Sequence, residues 1–551
     1  MTQLAITSPE APPSPRPVTE SPWLAALAVV PILATVYQTM VLTDVTGDVI
    51  RKGINGDRYS MIWTNVCWMI TMLYGMFAGI WAVPRFGSRL SIQVGLAFFA
   101  MGNLLCGAAY DVPTMSAAKL VEGIGKGMVI VICRSLLYSH FDRMVIVAIG
   151  IYGVLAYDTR PSTPVVMALV NDELSWRGIF WVNVPLALLA FPLVHRFIKP
   201  DRPDPPVPLR VDWVAVSLFV AWIVSLIFTF GWYRKWGGWT SNTFTIIALS
   251  SLLLPFITVV WVGLEPREHL RRMFRVRIYI LAMSTRMLLL MQIAAVLALL
   301  ANYLVGLRDY PRPTAGWVLA AATPPMMAAT ILTTWFHRRS LRHFWQLVSV
   351  VGSAACLWWM SRVDNFTAKE QVALMVGCWG MFAGLLPPAF LQDEVEGLEP
   401  SDKLYGVAVG NAVLVSALMV IPSLTSTTVS AWTDRALDVE RMNLRENRPE
   451  VEESSARVAD YFRQRGMEEG ESTRMASTVL GDFARAEAIA RGIQRGLHLL
   501  SLLVAGLGLL VTALLARGSC CTTKPTGPTN FVTTTPNQPQ QTHVCRRAVS
   551  K

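Results

Sequence analysis

The chain has 551 residues, 53% of them hydrophobic and 15% charged, with a formal net charge of +11. Soluble domains carry about 25% charged residues. Here the apolar excess comes in blocks of about 18 residues or more, each long enough to cross a bilayer. The basic residues fall in short loops between those blocks, which is the pattern of a membrane protein and excludes a nucleic-acid binder.

Residues 1–22, "MTQLAITSPEAPPSPRPVTESP", have no basic region before the first apolar run. They read as a disordered cytoplasmic tail, not a cleaved signal. About fourteen spans follow, with cores near 23–43, 60–82, 90–110, 113–137, 144–170, 178–198, 212–232, 242–264, 278–304, 314–336, 344–361, 371–391, 404–432 and 496–516. The fold class is all-α and polytopic. Alternate loops differ in charge. One set carries Arg85, Arg89, Arg143, Lys199, Arg202, Arg210 and the basic runs 267–277 and 337–343; the other set is poorer. The richer set is expected to be cytoplasmic. An even number of spans then places both termini inside, in a cell (inner) membrane. The acidic run "DEVEGLEPSDK" (393–403) lies on that inner side, against the trend. Residues 433–495 are polar with helical periodicity and predict two or three surface helices on the outer side. The Thr/Pro/Gln-rich segment 517–551 reads as a second disordered cytoplasmic tail.

The cysteines show no metal-ligand spacing. Cys67, Cys106, Cys133, Cys356 and Cys378 sit in apolar blocks as small hydrophobes, while Cys520 and Cys521 directly follow the last block. No His-Glu-x-x-His pattern and no phosphate-cradling Gly-Lys-Ser/Thr run occurs, so neither an enzyme centre, a cofactor nor ATP drive is expected. "NFT" at 365–367 is a sequon on the outer side.

Three segments carry a family resemblance. "GIWAVPRFGSRLSIQVGLAFFAMGNLLCGAA" (79–109) and "SAAKLVEGIGKGM" (116–128) are followed by "TPVVMALVNDELSWRGIFWVNVPLALL" (163–189). Together they resemble the 14-span drug:proton antiporters of the major facilitator superfamily, most specifically at Ser175-Trp176-Arg177 and Asn183-Val184-Pro185. The resemblance covers most of residues 23–516 and is mainly topological in the second half. It implies two six-helix bundles, 23–198 and 278–516, with two extra central helices and their cytoplasmic loops in 199–277. It also implies alternating access and proton-coupled export of a small amphiphilic molecule by a monomer among membrane lipids.

The sequence departs from the pattern at several points. Pro84 stands where an Asp is usual before Arg85-Phe86-Gly87. Lys119 and Glu122 replace Arg and Gln, Thr163 replaces the leading Gly, and Met167 and Ala168 replace the closing glycines. Gln38 aligns with a first-span Asp, and "GNAVLVSALMVIPS" (410–423) stands where a glycine-rich run is usual. These departures favour the alternative, a transporter-like protein that does not pump and acts as a sensor or assembly partner. A lipid-modifying membrane enzyme is the remaining class, with Ser162 or Thr163 as its tempting nucleophile.

The charges inside the spans are the candidate substrate and proton pathway. Lys119, Glu122 and Lys126 share one helix face. They read either as a self-neutralising triad that supports packing or as a cavity site, since charge within the hydrocarbon is costly. Asp158 and Arg160 stand beside Pro161 and Pro164, which remove hydrogen bonds to the carbonyls of Tyr157 and Arg160, predicting a kink. One of these two charges is expected to face Lys119 or Glu122, and the other a neighbouring span. Charge and proline are expected to replace the family's close glycine contact. Arg286 lies on the ninth span. If all six charges are ionised and face one cavity, their sum is positive, and the expected cargo is anionic or neutral. Arg85, Gly87 and Arg89, with Pro161 and Pro164, are the candidate switch residues. The two arginines serve equally as plain membrane anchors.

Overall fold

The computed structural model describes residues 22–520, except 41, 142–143, 201–209, 234, 265–271, 337–340, 365, 397, 399–401 and 446–448. Residues 1–21 and 521–551 of the two tails, Arg143, Arg202, much of the basic runs at 267–277 and 337–343, and Asn365 of the sequon therefore lie outside the described residues, while Pro22 and 517–520 belong to the adjoining helices.

Among the described residues the structure is helical, and eleven stretches are long and apolar enough to cross a membrane. Three further expected spans are present but fail that simple test for visible reasons. Helix α5 (Val112–His140) carries Lys119, Glu122, Lys126 and Arg134. The stretch from 145 to 174 is interrupted, and α14 (Arg342–Met360) is diluted by Gln346, Ser349 and Ser353.

Local chemistry sets the ends of the first helices. After α1 (Pro22–Met40), a short amphipathic helix, α2 (Leu42–Gly53), occupies the loop before α3 (Arg58–Phe86). Asp57 caps α3 by accepting from the Ser60 N–H at 2.6 Å. Gly87 ends α3 at φ 81°, a backbone angle that disfavours any side chain. That one residue turns the chain straight into α4 (Ser88–Ala108). Asp111 and Thr114 form a capping box at the start of α5. The first half packs α5 between α3 and α4, with α1 and α8 (Asn183–Phe197) around them.

The fifth span is broken as Pro161 and Pro164 predict. α6 (Val145–Gly153) opens into a π-turn at Val154–Asp158, then a 3-10 turn at Arg160–Ser162, before α7 (Thr163–Trp181) resumes. α7 itself breaks at Ser175, which has φ 62°. The link between the fifth and sixth spans is thus a bend within helical structure.

The extra pair, α9 (Trp213–Gly231) and α10 (Asn242–Leu264), is central in sequence but lies at the edge in space. α9 packs on α10, on α3 of the first half and on α17 (Lys403–Arg445) of the second. Tyr74 and Ser217 hydroxyls meet at 2.7 Å, and Thr427 donates to the Phe230 carbonyl at 2.6 Å. Only 11% of the apolar window of α10 is buried, so its surface is available to lipid.

The second half comprises α11 (Arg277–Ala301) with its π-turn Asn302–Leu307, α12 (Arg312–Ala320), α13 (Thr323–Trp335), α14, α15 (Lys369–Ala383), α16 (Pro387–Glu396), α17 and α19 (Glu469–Cys520). The segment 433–495 differs from expectation. It consists mainly of continuations of the two flanking helices, of 43 and 52 residues, with α18 (Pro449–Gln464) between them. At about 1.5 Å per residue these helices are roughly 64 and 78 Å long, about twice a bilayer core or more. Alanine contacts at Ala436, Ala459, Ala476 and Ala488 hold the projection together without a large apolar core.

The two halves touch at both ends. At the arginine-rich end, α6 meets α13 and α16; at the other, α7 meets α12. At that second contact an added Cβ on Gly316 would lie 2.8 Å from the Val165 backbone. The close approach expected to be lost with the family's glycines is therefore kept, with the glycine supplied by the opposite helix.

Candidate functional site

Between the halves lies a buried charge cluster that contains Arg286 but none of the other candidate charges. Arg286 of α11 donates to Glu394 at 3.0 and 3.2 Å, and Arg134 of α5 donates to the same carboxylate at 2.8 Å. One carboxylate thus bridges a guanidinium from each half. Both arginines also reach the Asn411 Oδ1, at 3.4 Å from Arg134 and 3.3 Å from Arg286, and Tyr152 donates to it at 2.7 Å. The Tyr152 and Tyr37 hydroxyls meet at 2.8 Å, and the Arg134 guanidinium lies 4.3 Å from the centre of the Tyr152 ring. Arg134, Arg286 and Asn411 have no exposed surface and Glu394 has 1%, so the cluster is closed off from solvent.

The local sequence explains why these groups can meet. Gly410 lies against the ion pair, and a Cβ there would run into Glu394 Oε1 and the Arg286 guanidinium. The stretch "GNAVLVSALMVIPS", identified as a departure from the family pattern, thus supplies both the gap and Asn411. In sequence, Glu394 falls in the acidic run 393–403, expected to be an inner loop. The structure instead extends α16 to Glu396 and buries Asp393 and Glu394. Asp393 pairs with Arg342, and Asp402 lies 3.5 Å from Arg272. The acidic run at the basic end is therefore a set of counter-charges for arginines.

Lys119, Glu122 and Lys126 do form one unit. Glu122 accepts from Lys119 at 2.7 Å and pairs with Lys126 at 2.6 Å. The surrounding contacts all come from the first half: Phe180 beneath Lys119, Trp68 and Phe99 near Lys126, Cys106 at 3.8 Å from Glu122, and the Thr39 carbonyl. This is the packing arrangement of the triad, with two lysines sharing one carboxylate, within a bundle and not between bundles.

Asp158 and Arg160 also depart from expectation. Among the described residues, no hydrogen bond or ion pair joins either of them to Lys119 or Glu122. Arg160 folds back to donate to the Ala156 carbonyl at 2.5 Å, near Met40 and 6.0 Å from the centre of the Tyr37 ring. The π-turn instead carries Asp158 to the second half, beside the Thr330 hydroxyl, which donates to the Gly384 carbonyl at 2.8 Å. The Asp158 carboxylate is wholly buried and neither of its oxygens accepts a bond of normal geometry. Gln38 and Thr163, two further departures from the family pattern, bond each other at 2.8 Å.

The switch candidates divide. Gly87 is required by its backbone angle. Arg85 donates to the Trp81 carbonyl at 2.6 Å and stacks on that ring, and Arg89 contacts His195; both contacts stay inside the first half. This is the anchor reading. Of the most specific motif residues, Arg177 donates to the Ala109 carbonyl at 2.9 Å and Asn183 to Asn103 at 2.9 Å, fixing the sixth span to the third.

The Major Facilitator Superfamily model matches residues 27–421. Multidrug resistance protein 3 of Bacillus subtilis is 21% identical over 385 residues, covering 67% of this chain and 72% of its own. Drug efflux pump JefA of Mycobacterium tuberculosis is 26% identical over 147 residues, 26% of this chain and 28% of its own. The Triacylglyceride transporter of Mycobacteroides abscessus is 32% identical over 141 residues, 25% of this chain and 27% of its own. The chain thus spans most of the first relative and under a third of the other two. Two helical halves meeting over a buried charge cluster, with a family match across most of the chain, make this protein a transporter-type member of the Major Facilitator Superfamily.

Proposed function

We propose that the chain exports a small amphiphilic molecule by alternating access, coupled to a proton, as a monomer in the cell membrane with both termini cytoplasmic. The moving units are the bundles 23–198 and 278–516. The observation that carries this reading is Glu394 held between Arg134 of one half and Arg286 of the other. Any motion that separates the halves must break one of those pairs, so the charge state of the cluster and the conformation are linked. The names of the relatives, multidrug and efflux proteins among them, support export as the direction.

Asp158 is the best proton carrier in this reading. Glu122, Asp393 and Glu394 are each tied to a lysine or arginine, whereas Asp158 has no cationic partner among the described residues. It also sits at the break of the fifth span, against Thr330 of the opposite half, where a change of spacing alters its surroundings first. The test is flux in proteoliposomes, using neutral and charged fluorescent amphiphiles under an imposed pH gradient. Asp158→Asn is expected to abolish uphill flux and leave exchange down a gradient. Unchanged uphill flux in that variant removes Asp158 from coupling. No flux of any probe under any gradient returns the sensor or assembly reading.

A further inference from the structure

The cluster between the halves has more donors than it can use. Arg134 and Arg286 bring two positive charges and Glu394 one negative, so the group carries a formal +1 in a closed, low-dielectric place. Both Glu394 oxygens and the Asn411 Oδ1 already accept bonds. The atoms left over are Arg286 Nε, Asn411 Nδ2 and the Tyr157 hydroxyl, each buried without a partner. Two of the three can only donate. A buried group with spare donors and surplus positive charge is complementary to an anion, not to a cation.

Aromatic rings continue from this point. Tyr37, Tyr152, Tyr157 and Phe390 form a chain of edge-to-face contacts with centroids 5.6 to 6.4 Å apart. They offer apolar faces beside the charged group.

We infer that the cargo is an amphiphile with an anionic head, a carboxylate or similar oxyanion, which binds Arg134 and Arg286 between the halves in place of the Glu394 carboxylate. This rests on the transport reading for its meaning but is tested without transport. Glu394 acts as a tethered stand-in: it occupies the guanidiniums while the site is empty and yields them when the cargo head arrives. Arginine suits this exchange because its planar fork pairs two oxygens at once. The Lys119–Glu122–Lys126 triad has the same surplus charge, but it is enclosed by one half and has no access to the boundary.

The experiment measures binding to purified full-length protein in a non-ionic detergent, with no gradient. The probe is 11-(dansylamino)undecanoic acid, compared with its methyl ester and a matched trimethylammonium analogue. The acid is expected to bind at least tenfold more tightly than either analogue. Arg134→Met and Arg286→Met should each weaken the acid at least tenfold and leave the ester unchanged, and Arg→Lys at either position should recover only part. Glu394→Gln removes the stand-in and should tighten the acid severalfold, and the acid should also raise the melting temperature of that variant. The comparison of the acid with the ammonium analogue on the parent protein holds even where a variant fails to fold. Equal or tighter binding of the ammonium analogue, or a Glu394→Gln variant that binds the acid no better than the parent, overturns the inference. Because flux plays no part, a protein that binds the acid but moves nothing would defeat the transport reading alone.

Discussion

Arg134 and Glu394 are 260 residues apart in the chain and 2.8 Å apart in space, each wholly or almost wholly buried. Removing one partner of such a pair costs about 3–5 kcal/mol, because the other is left buried and uncompensated. Here the count is uneven. Glu394→Gln leaves two guanidiniums without a carboxylate, whereas Arg134→Met leaves a balanced Arg286–Glu394 pair. Thermal unfolding in detergent should therefore rank Glu394→Gln as clearly less stable than Arg134→Met. The reverse order would mean that Glu394 does not carry the shared charge.

Gly316 makes a different kind of contact. Its missing side chain lets α12 approach the Pro164–Val165 backbone. Gly316→Val should hold that end apart and reduce transport at least tenfold with expression retained. A cysteine placed at Val165, which is 4% exposed in the closed contact, should react faster with a water-soluble maleimide in that background.

The triad in α5 predicts a stability effect of the same origin. Glu122→Gln leaves Lys119 and Lys126 facing each other's charge and should cost about 3–5 kcal/mol. Lys126→Met keeps the 2.7 Å Lys119–Glu122 pair and should cost less. Unfolding curves of the two variants and the double variant give the comparison directly.

Two helix caps give a pH dependence. The Ser60 hydroxyl and N–H hold the Asp57 carboxyl below its usual range, and Thr114 does the same for Asp111. A depressed folded value gives stability that is present above the unfolded pKa of about 3.9 and lost as pH falls through the folded value. Acid unfolding below about pH 4 should therefore be shallower in an Asp57→Asn, Asp111→Asn double variant, since asparagine caps without titrating.

The fold was legible because hydropathy and loop charge are local signals, and the kink at 157–164 because proline acts on its own helix. The cluster was not, since it depends on pairing across hundreds of residues. Arg286 was visible as a charge in an apolar run. Arg134 meets the same criterion within "IVICRSLL" but has no charged neighbour one turn away to mark it as part of a group. Glu394 was hidden by its acidic surroundings, which suggested a solvated loop. Asn411 was hidden by being neutral. The grouping of Asp158 with the triad failed for a geometric reason: the π-turn changes the helical phase, so residue spacing no longer tells which face a side chain occupies.

The 43-residue helix α17 has a mechanical consequence. It carries Asn411 near one end and contains Pro422 mid-way, and its far end forms the projection with α18. From Pro422 to Arg445 the helix runs about 35 Å. A rotation of about 10° at Pro422 would sweep the tip through roughly 6 Å. Such a rotation would make the projection a pointer on a dial, magnifying a small angular change beside the ion cluster into a distance that spectroscopy can read. A spin label at Tyr461 on α18, half exposed, would report the state of the buried site without touching it.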